Sequence, residues 1–420
     1  MSKTLLRVKL PPEHTLLRDL VLTSLAVIKS NAQVLGNDIE MRIVNNEILA
    51  KVLGSWDIII GTTIKSSIDL LNVKVESGIR APKLHQNDYS YIFKKLITGI
   101  AKNSTYIDAF NALLSSDEVK SKLYDFNLVN KELSTVSFTA KKGAIKFGLT
   151  DYPLPQIFKV EIYEKGLTFH KLYTLDFSIR LSDVWLSLIA IGFIHSYGGS
   201  FDGKLSFITI GEEGIYNNAR FNVAIMTAST LVRTVPDPII PYLIYTSLKL
   251  PDIIIRSRAR ESRKDLEGFL NTLLSDEEGE RFKERIKMGF VPPLILHILG
   301  IGRAYTALMR VPLEYSSTIK FSYIIDDVCK EEKVNVECRN ELSRIVELGL
   351  GGREPKVVNA LTLLYEAING AKDPALAMYV LLRTIKDIDL NEQYRRIRLS
   401  RECVNVAIKA MERSRLVVHA

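Results

Sequence analysis

Four basic residues set at i, i+4, i+7 and i+8 form the sharpest chemical pattern in this chain. In the stretch 253–274, IIIRSRARESRKDLEGFLNTLL, helical periodicity puts Arg256, Arg260, Arg263 and Lys264 on one stripe. An apolar stripe of Ile255, Ala259, Leu266, Leu270 and Leu273 runs beside it. Cations on one face, offset by Glu261 alone, repel one another until an anion arrives. Guanidinium forks suit phosphate oxygens, so the stripe fits a phosphate track, which positions a nucleic acid without reading its sequence. The same stripe also fits an acidic protein partner or plain solvation.

Two further basic stretches repeat the pattern more weakly. In 392–416, Ile397, Val404, Ile408 and Met411 share one helical face, and Arg395, Arg398, Lys409 and Arg413 lie on another. Glu402 and Glu412 dilute that face, so intrahelical pairing competes with ligand binding. Lys141, Lys142 and Lys146 make a basic hairpin of the kind that probes a DNA groove, although solvated lysine turns are common.

Catalytic patterns are missing from the sequence. The six histidines are scattered, and none stands at helical spacing from another histidine or a cysteine. His195 and His297 fall in apolar stretches read as helices, which suits core histidines. Asp326-Asp327 is half of an aspartate-rich metal motif, but Lys330 stands where a further aspartate belongs, so a solvated helix face is expected. Gly300/Gly302 and Gly349/Gly351/Gly352 follow no expected strand and read as helix stops, not dinucleotide loops. No catalytic residue, metal ligand or cofactor is assigned, and the chain is not expected to be an enzyme.

The elements that carry these residues divide the chain. Residues 3–9 alternate like a strand, 16–35 read as a helix, and 39–44 and 48–53 flank Asn45-Asn46 as a hairpin. Several short helices are expected over 89–123, then strands from Ser134. Ser182-Asp183 offers an N-cap for the apolar helix VWLSLIAIGFIH, and KLSFITI reads as a strand. Beyond about residue 218 the pattern is helical throughout. The expected fold is α+β: a mixed domain with antiparallel strands over 1–217, then an all-helical bundle over 218–420. Arginine follows the same division, with 5 in residues 1–200 and 20 in 201–420.

The net charge of +8 favours acidic partners, nucleic acid first. Three cysteines, an odd number, give no disulfide framework and suit a reducing cytoplasm. The longest apolar run is too short to cross a membrane, and no membrane partner is expected. Four glutamines among abundant isoleucine and charged residues lean towards a thermophile.

Two segments carry a resemblance. One is DVWLSLIAIGFIHSYGG with GKLSFITIGEEG; the other is VVNALTLLYEAINGAKDPALAMYVLLR. The second reads as an αα-hairpin. Val357, Leu361, Leu364, Tyr365 and Ile368 share a face, Gly370 stops the helix, Asp373 caps the next and Pro374 opens it. Leu376, Tyr379 and Val380 are expected to pack back, with Arg383 at the edge. This pattern resembles the large subunit of archaeal type I-A CRISPR effector (Cascade) complexes, which serve antiviral defence. The resemblance implies a non-catalytic subunit that senses a target-adjacent motif on double-stranded DNA, aids duplex opening, holds the displaced strand and helps recruit a helicase-nuclease. Guide RNA would be met indirectly, through other effector subunits. The alternative is a helical scaffold that binds acidic proteins without nucleic acid.

Overall fold

A computed structural model of the chain describes residues 4–11, 13–124, 144–147, 152–158, 178–216, 219–232, 235–255, 281, 284–286, 291, 293–302, 305–334, 336–352, 354–388 and 399–416. Its elements are mostly antiparallel sheets and many helices, an α+β fold. They cluster into two compact units. The first takes the chain through Leu231 and again at Leu294–Pro312, and the second takes the helices before and after that return.

The first unit opens with a three-stranded antiparallel sheet, ordered β1-β3-β2, of β1 (Thr4–Lys9), β2 (Asp38–Val44) and β3 (Glu47–Leu53). Asn45 and Asn46 turn the β2–β3 hairpin with φ of 50° and 63°, the doubly left-handed turn that matches strand twist. Helix α1 (Leu16–Val34) is buried along nearly its whole length, polar residues included. Thr15 caps it, its hydroxyl accepting from the Arg18 N–H at 3.2 Å.

After α2 (Trp56–Glu76), α3 (Tyr106–Ser115) and α4 (Asp117–Tyr124) comes α5 (Asp183–Ser196), capped by Ser182 as the sequence suggests. It is apolar on every side and therefore buried on every side. At Gly192 a Cβ would stand 2.1 Å from the Leu20 carbonyl oxygen, so glycine is what lets α5 lie against the α1 backbone. The short β4 (Ala144–Phe147) pairs in parallel with β6 (Ser178–Leu181), and β5 (Tyr152–Pro153) pairs with β6 antiparallel.

A third sheet, ordered β10-β9-β8-β7, corrects the expectation of helix beyond residue 218. Here β7 (Tyr197–Phe201) and β8 (Lys204–Ile210) join β9 (Leu294–Ile301) and β10 (Tyr305–Leu313). The β8–β9 register runs antiparallel from Lys204↔Gly300 to Ile210↔Leu294. His297 is thus a strand residue. Gly300 lies inside β9, where Leu308 crowds the Cβ position at 3.3 Å, and is no helix stop. A run as uniformly apolar as VPPLILHILGIG lacks the alternation that separates strand from helix. The unit is completed by α6 (Glu213–Tyr216) and α7 (Ala219–Leu231).

The second unit is helical: α8 (Ile239–Ile255), α9 (Ser316–Glu331), α10 (Cys338–Glu347), α11 (Pro355–Ile368), α12 (Pro374–Asp387) and α13 (Arg401–Leu416). Its core gathers Phe321, Ile325, Leu342, Leu361, Leu381 and Met411. The α11–α12 hairpin forms with the expected caps. Gly370 has a φ of +83°, and the Asp373 carboxylate accepts from the Leu376 N–H at 2.8 Å. The inward face of α12 differs from expectation: Ala377, Met378 and Leu381 are buried, Val380 is partly buried, and Leu376 and Tyr379 are exposed. Small Ala377 lets the two helices approach, which turns the bulkier pair outward. Cys338 and Cys403 form a disulfide between α10 and α13, overturning the inference from odd cysteine number; Cys329 is the free thiol.

Candidate functional site

Of the cations singled out in the sequence, Arg256, Arg260, Arg263, Lys264, Lys141, Lys142, Arg395 and Arg398 lie outside the described residues. Lys146 lies on β4, in register with Arg180 of β6. Two cations of the last helix are placed, and both meet α9. Lys409 Nζ is 2.5 Å from Glu332, and Arg413 is 2.6 Å from Glu331, so the pairing is between helices and not with Glu402 or Glu412.

Among the described residues a polar cluster stands at the start of α1, with buried Arg18 and Asp19 reaching more exposed partners. The Arg18 guanidinium donates to the Pro11 carbonyl at 2.9 Å, to Asn46 Oδ1 and to Glu212. Glu212 belongs to the Gly211-Glu-Glu-Gly214 turn, so one fork ties that motif to the β2–β3 hairpin. At Gly214 a Cβ would meet Ile210 at 2.4 Å, which explains the glycine closing the turn. Next along α1, Asp19 Oδ2 lies 2.9 Å from His297 Nε2 and accepts from Arg310 Nε at 3.0 Å. A carboxylate orienting an imidazole is half of a general-base arrangement. Here the His297 side chain has no exposed surface, and Asp19 ties α1 to β9 by the His297 hydrogen bond and to β10 by the Arg310 ion pair.

Buried lysines close helix ends. Lys74 Nζ donates to the carbonyls of Ile194, His195 and Tyr197 at 2.7, 3.2 and 2.7 Å, using all three of its donors on the C-terminus of α5. Burial pushes its pKa well down. His195 beside it is held neutral, pushed down to about 3 by burial and then by the Lys74 charge. Lys29 bonds the Ile215 and Tyr216 carbonyls, and Lys320 bonds that of Ser414.

In the second unit Arg339 donates to Asp326 at 2.7 Å, to Asp252 at 2.8 Å and to the Leu248 carbonyl at 3.1 Å. Asp326 is therefore a structural ion-pair partner, not part of a merely solvated face. Its pKa is raised by burial against the pull of Arg339. Part of the arginine enrichment thus serves the protein's own carboxylates, as at Arg310, Arg339 and Arg413. No three His, Cys, Asp or Glu among the described residues cluster to hold a metal, and no described helix is long and apolar enough to cross a membrane.

One surface segment carries a local excess of positive charge. Over 78–105 the chain has five cations, Arg80, Lys83, Lys94, Lys95 and Lys102, and one carboxylate, Asp88. All five cations are exposed, whereas Asp88 is buried and accepts from the Tyr106 hydroxyl at 2.5 Å and the Gln156 N–H at 2.8 Å. Among the described residues none of the five forms an ion pair. The sequence hides this segment because its lysines keep no helical period; their exposure follows from how Ile92 and Phe93 are inserted into the core. Comparison of the chain with protein-family models, curated proteins and solved structures finds no match.

Proposed function

We propose that this chain is a non-catalytic nucleic-acid-binding large subunit of a cytoplasmic CRISPR RNA-guided DNA interference complex. In this role it senses the target-adjacent motif on duplex DNA, aids duplex opening, holds the displaced strand and helps recruit a helicase-nuclease. The observation that carries the nucleic-acid part is the local excess of positive charge at 78–105, within a chain of net charge +8. The assembly part rests on the resemblance of the α11–α12 hairpin and of the 183–214 segment to such subunits.

Binding of free duplex DNA is expected to weaken steeply with salt as condensed counterions are released. Reversing Arg256, Arg260 and Arg263 to glutamate together should abolish that binding and leave the circular dichroism spectrum unchanged; undiminished binding removes the stripe from the interface. Purification of the tagged chain from its host is expected to bring short guide RNAs of uniform length with other effector subunits. The exposed Leu376 and Tyr379 on α12 favour a protein contact, and the charge of +8 makes its partner acidic in the second reading, a scaffold. It predicts protein complexes that survive nuclease treatment and negligible affinity for free DNA.

A further inference from the structure

The segment 78–105 is closed at its neck and rigid at its centre. Lys83 bridges Thr105, the Leu84 N–H reaches the Ser104 carbonyl at 2.8 Å, and the Tyr106 N–H reaches that of Pro82 at 3.1 Å. At the centre a π-helical turn, Tyr89–Phe93, runs into Lys94–Leu96. Ile92 and Phe93 are fully buried, Phe93 packing edge-on against Phe110 at 5.7 Å. Their neighbour Tyr91 points the other way and is 57% exposed. A large aromatic ring held in water by a buried anchor is a platform that has little freedom left to lose on binding.

Lys94 and Lys95 stand three and four positions after Tyr91, on its side of the helical turn, with Lys95 Nζ 6.0 Å from the Tyr91 ring centroid. Lys102 follows past the turn at Gly99, whose φ is +82°. Exposed carboxylates flank the segment at Glu76 and Asp108, and Asp108 is committed to the Thr105 N–H and hydroxyl, both at 2.8 Å. We propose that this segment is a contact site for single-stranded nucleic acid, with a base stacked on Tyr91 and the flanking phosphates met by Lys94, Lys95 and Lys102. Duplex bases are already stacked on one another, so an exposed ring selects unpaired strand, while ammonium groups follow the backbone without reading sequence. The inference rests on the nucleic-acid-binding function proposed above, and it makes this segment the holder of the displaced strand.

The test is fluorescence anisotropy on the full chain with a labelled oligothymidylate of about 20 nucleotides and a duplex of equal length. Tyr91→Ala should weaken oligothymidylate binding about 10-fold and spare the duplex, and Tyr91→Phe should restore it, because stacking needs the ring and not the hydroxyl. Lys94→Glu with Lys95→Glu should weaken binding further and flatten the logarithmic salt dependence by about 0.7 for each phosphate the protein no longer neutralises. Wild-type affinity for oligothymidylate in the Tyr91→Ala variant overturns the stacking site and leaves the proposed function standing. No binding of either oligonucleotide by the wild-type chain overturns both. Equal competition by polyglutamate assigns the surface to an acidic protein instead.

Discussion

Removing the Cys338–Cys403 bond is the most quantitative perturbation the structure offers. The bond joins α10 to α13 across 65 residues of chain. Closing a loop of that length removes denatured-state entropy worth about 4 kcal/mol at 25 °C. A urea dependence of about 2 kcal/mol per molar turns this into a midpoint shift of about 2 M for the second unit. The two tryptophans, Trp56 and Trp185, both belong to the first unit, so their fluorescence does not report the affected part. Far-ultraviolet circular dichroism follows the helices of both units, so the second unit's unfolding appears in it and not in the fluorescence. Reduction, or the double substitution Cys338→Ala/Cys403→Ala, should therefore shift the circular dichroism transition much more than the fluorescence transition. Thiol titration of the unreduced, denatured chain should find one free cysteine, Cys329. Coincident curves for oxidised and reduced protein, or three titratable thiols before reduction, would refute the reasoning.

Two more perturbations address the first unit. Gly192→Ala places a methyl 2.1 Å from the Leu20 carbonyl oxygen, which is backbone and cannot rotate aside. It should cost about 3 kcal/mol or more, read from tryptophan fluorescence in urea. His195 is held neutral down to about pH 3, while the unfolded chain takes up that proton near 6.5. Stability from this group is complete above about 6.5 and falls as the pH drops towards 3, by up to about 5 kcal/mol. The pH dependence between those limits should be shallower in His195→Gln than in wild type, and an equal slope in both would exclude the assignment.

What is legible in the sequence is local. Asn45-Asn46, Ser182, Gly370 and Asp373-Pro374 are turn and cap residues whose signals act within a few positions, and each does in the structure what its type suggests. The β9–β10 hairpin is hidden because its apolar run carries no period and its partner strand, β8, lies far back in the chain. Helix α2 is obscured by TTIKSSI inside it, rich in β-branched and hydroxyl residues. Size alone ranks Leu376 and Tyr379 inward on α12, whereas the row through Ala377 and Leu381 decides the buried face. Most of the cations expected on a nucleic-acid face lie outside the described residues. The exposed lysines of 78–105 need the burial of Ile92 and Phe93 to stand out.

The return of Leu294–Pro312 to the first unit has a consequence for the order of synthesis. A ribosome that has released residues through Leu231 has delivered β8 but not β9, its partner over seven register pairs. Until that strand arrives, Lys204–Ile210 presents an open edge lined by Leu205, Phe207 and Ile208. Helix α8, which belongs to the second unit, emerges in the interval. Neither unit can therefore finish before the other has begun, and the exposed edge makes association of unfinished chains the expected hazard of that interval. A fragment ending at residue 231 lacks β9 altogether and is expected to be less soluble than the full chain.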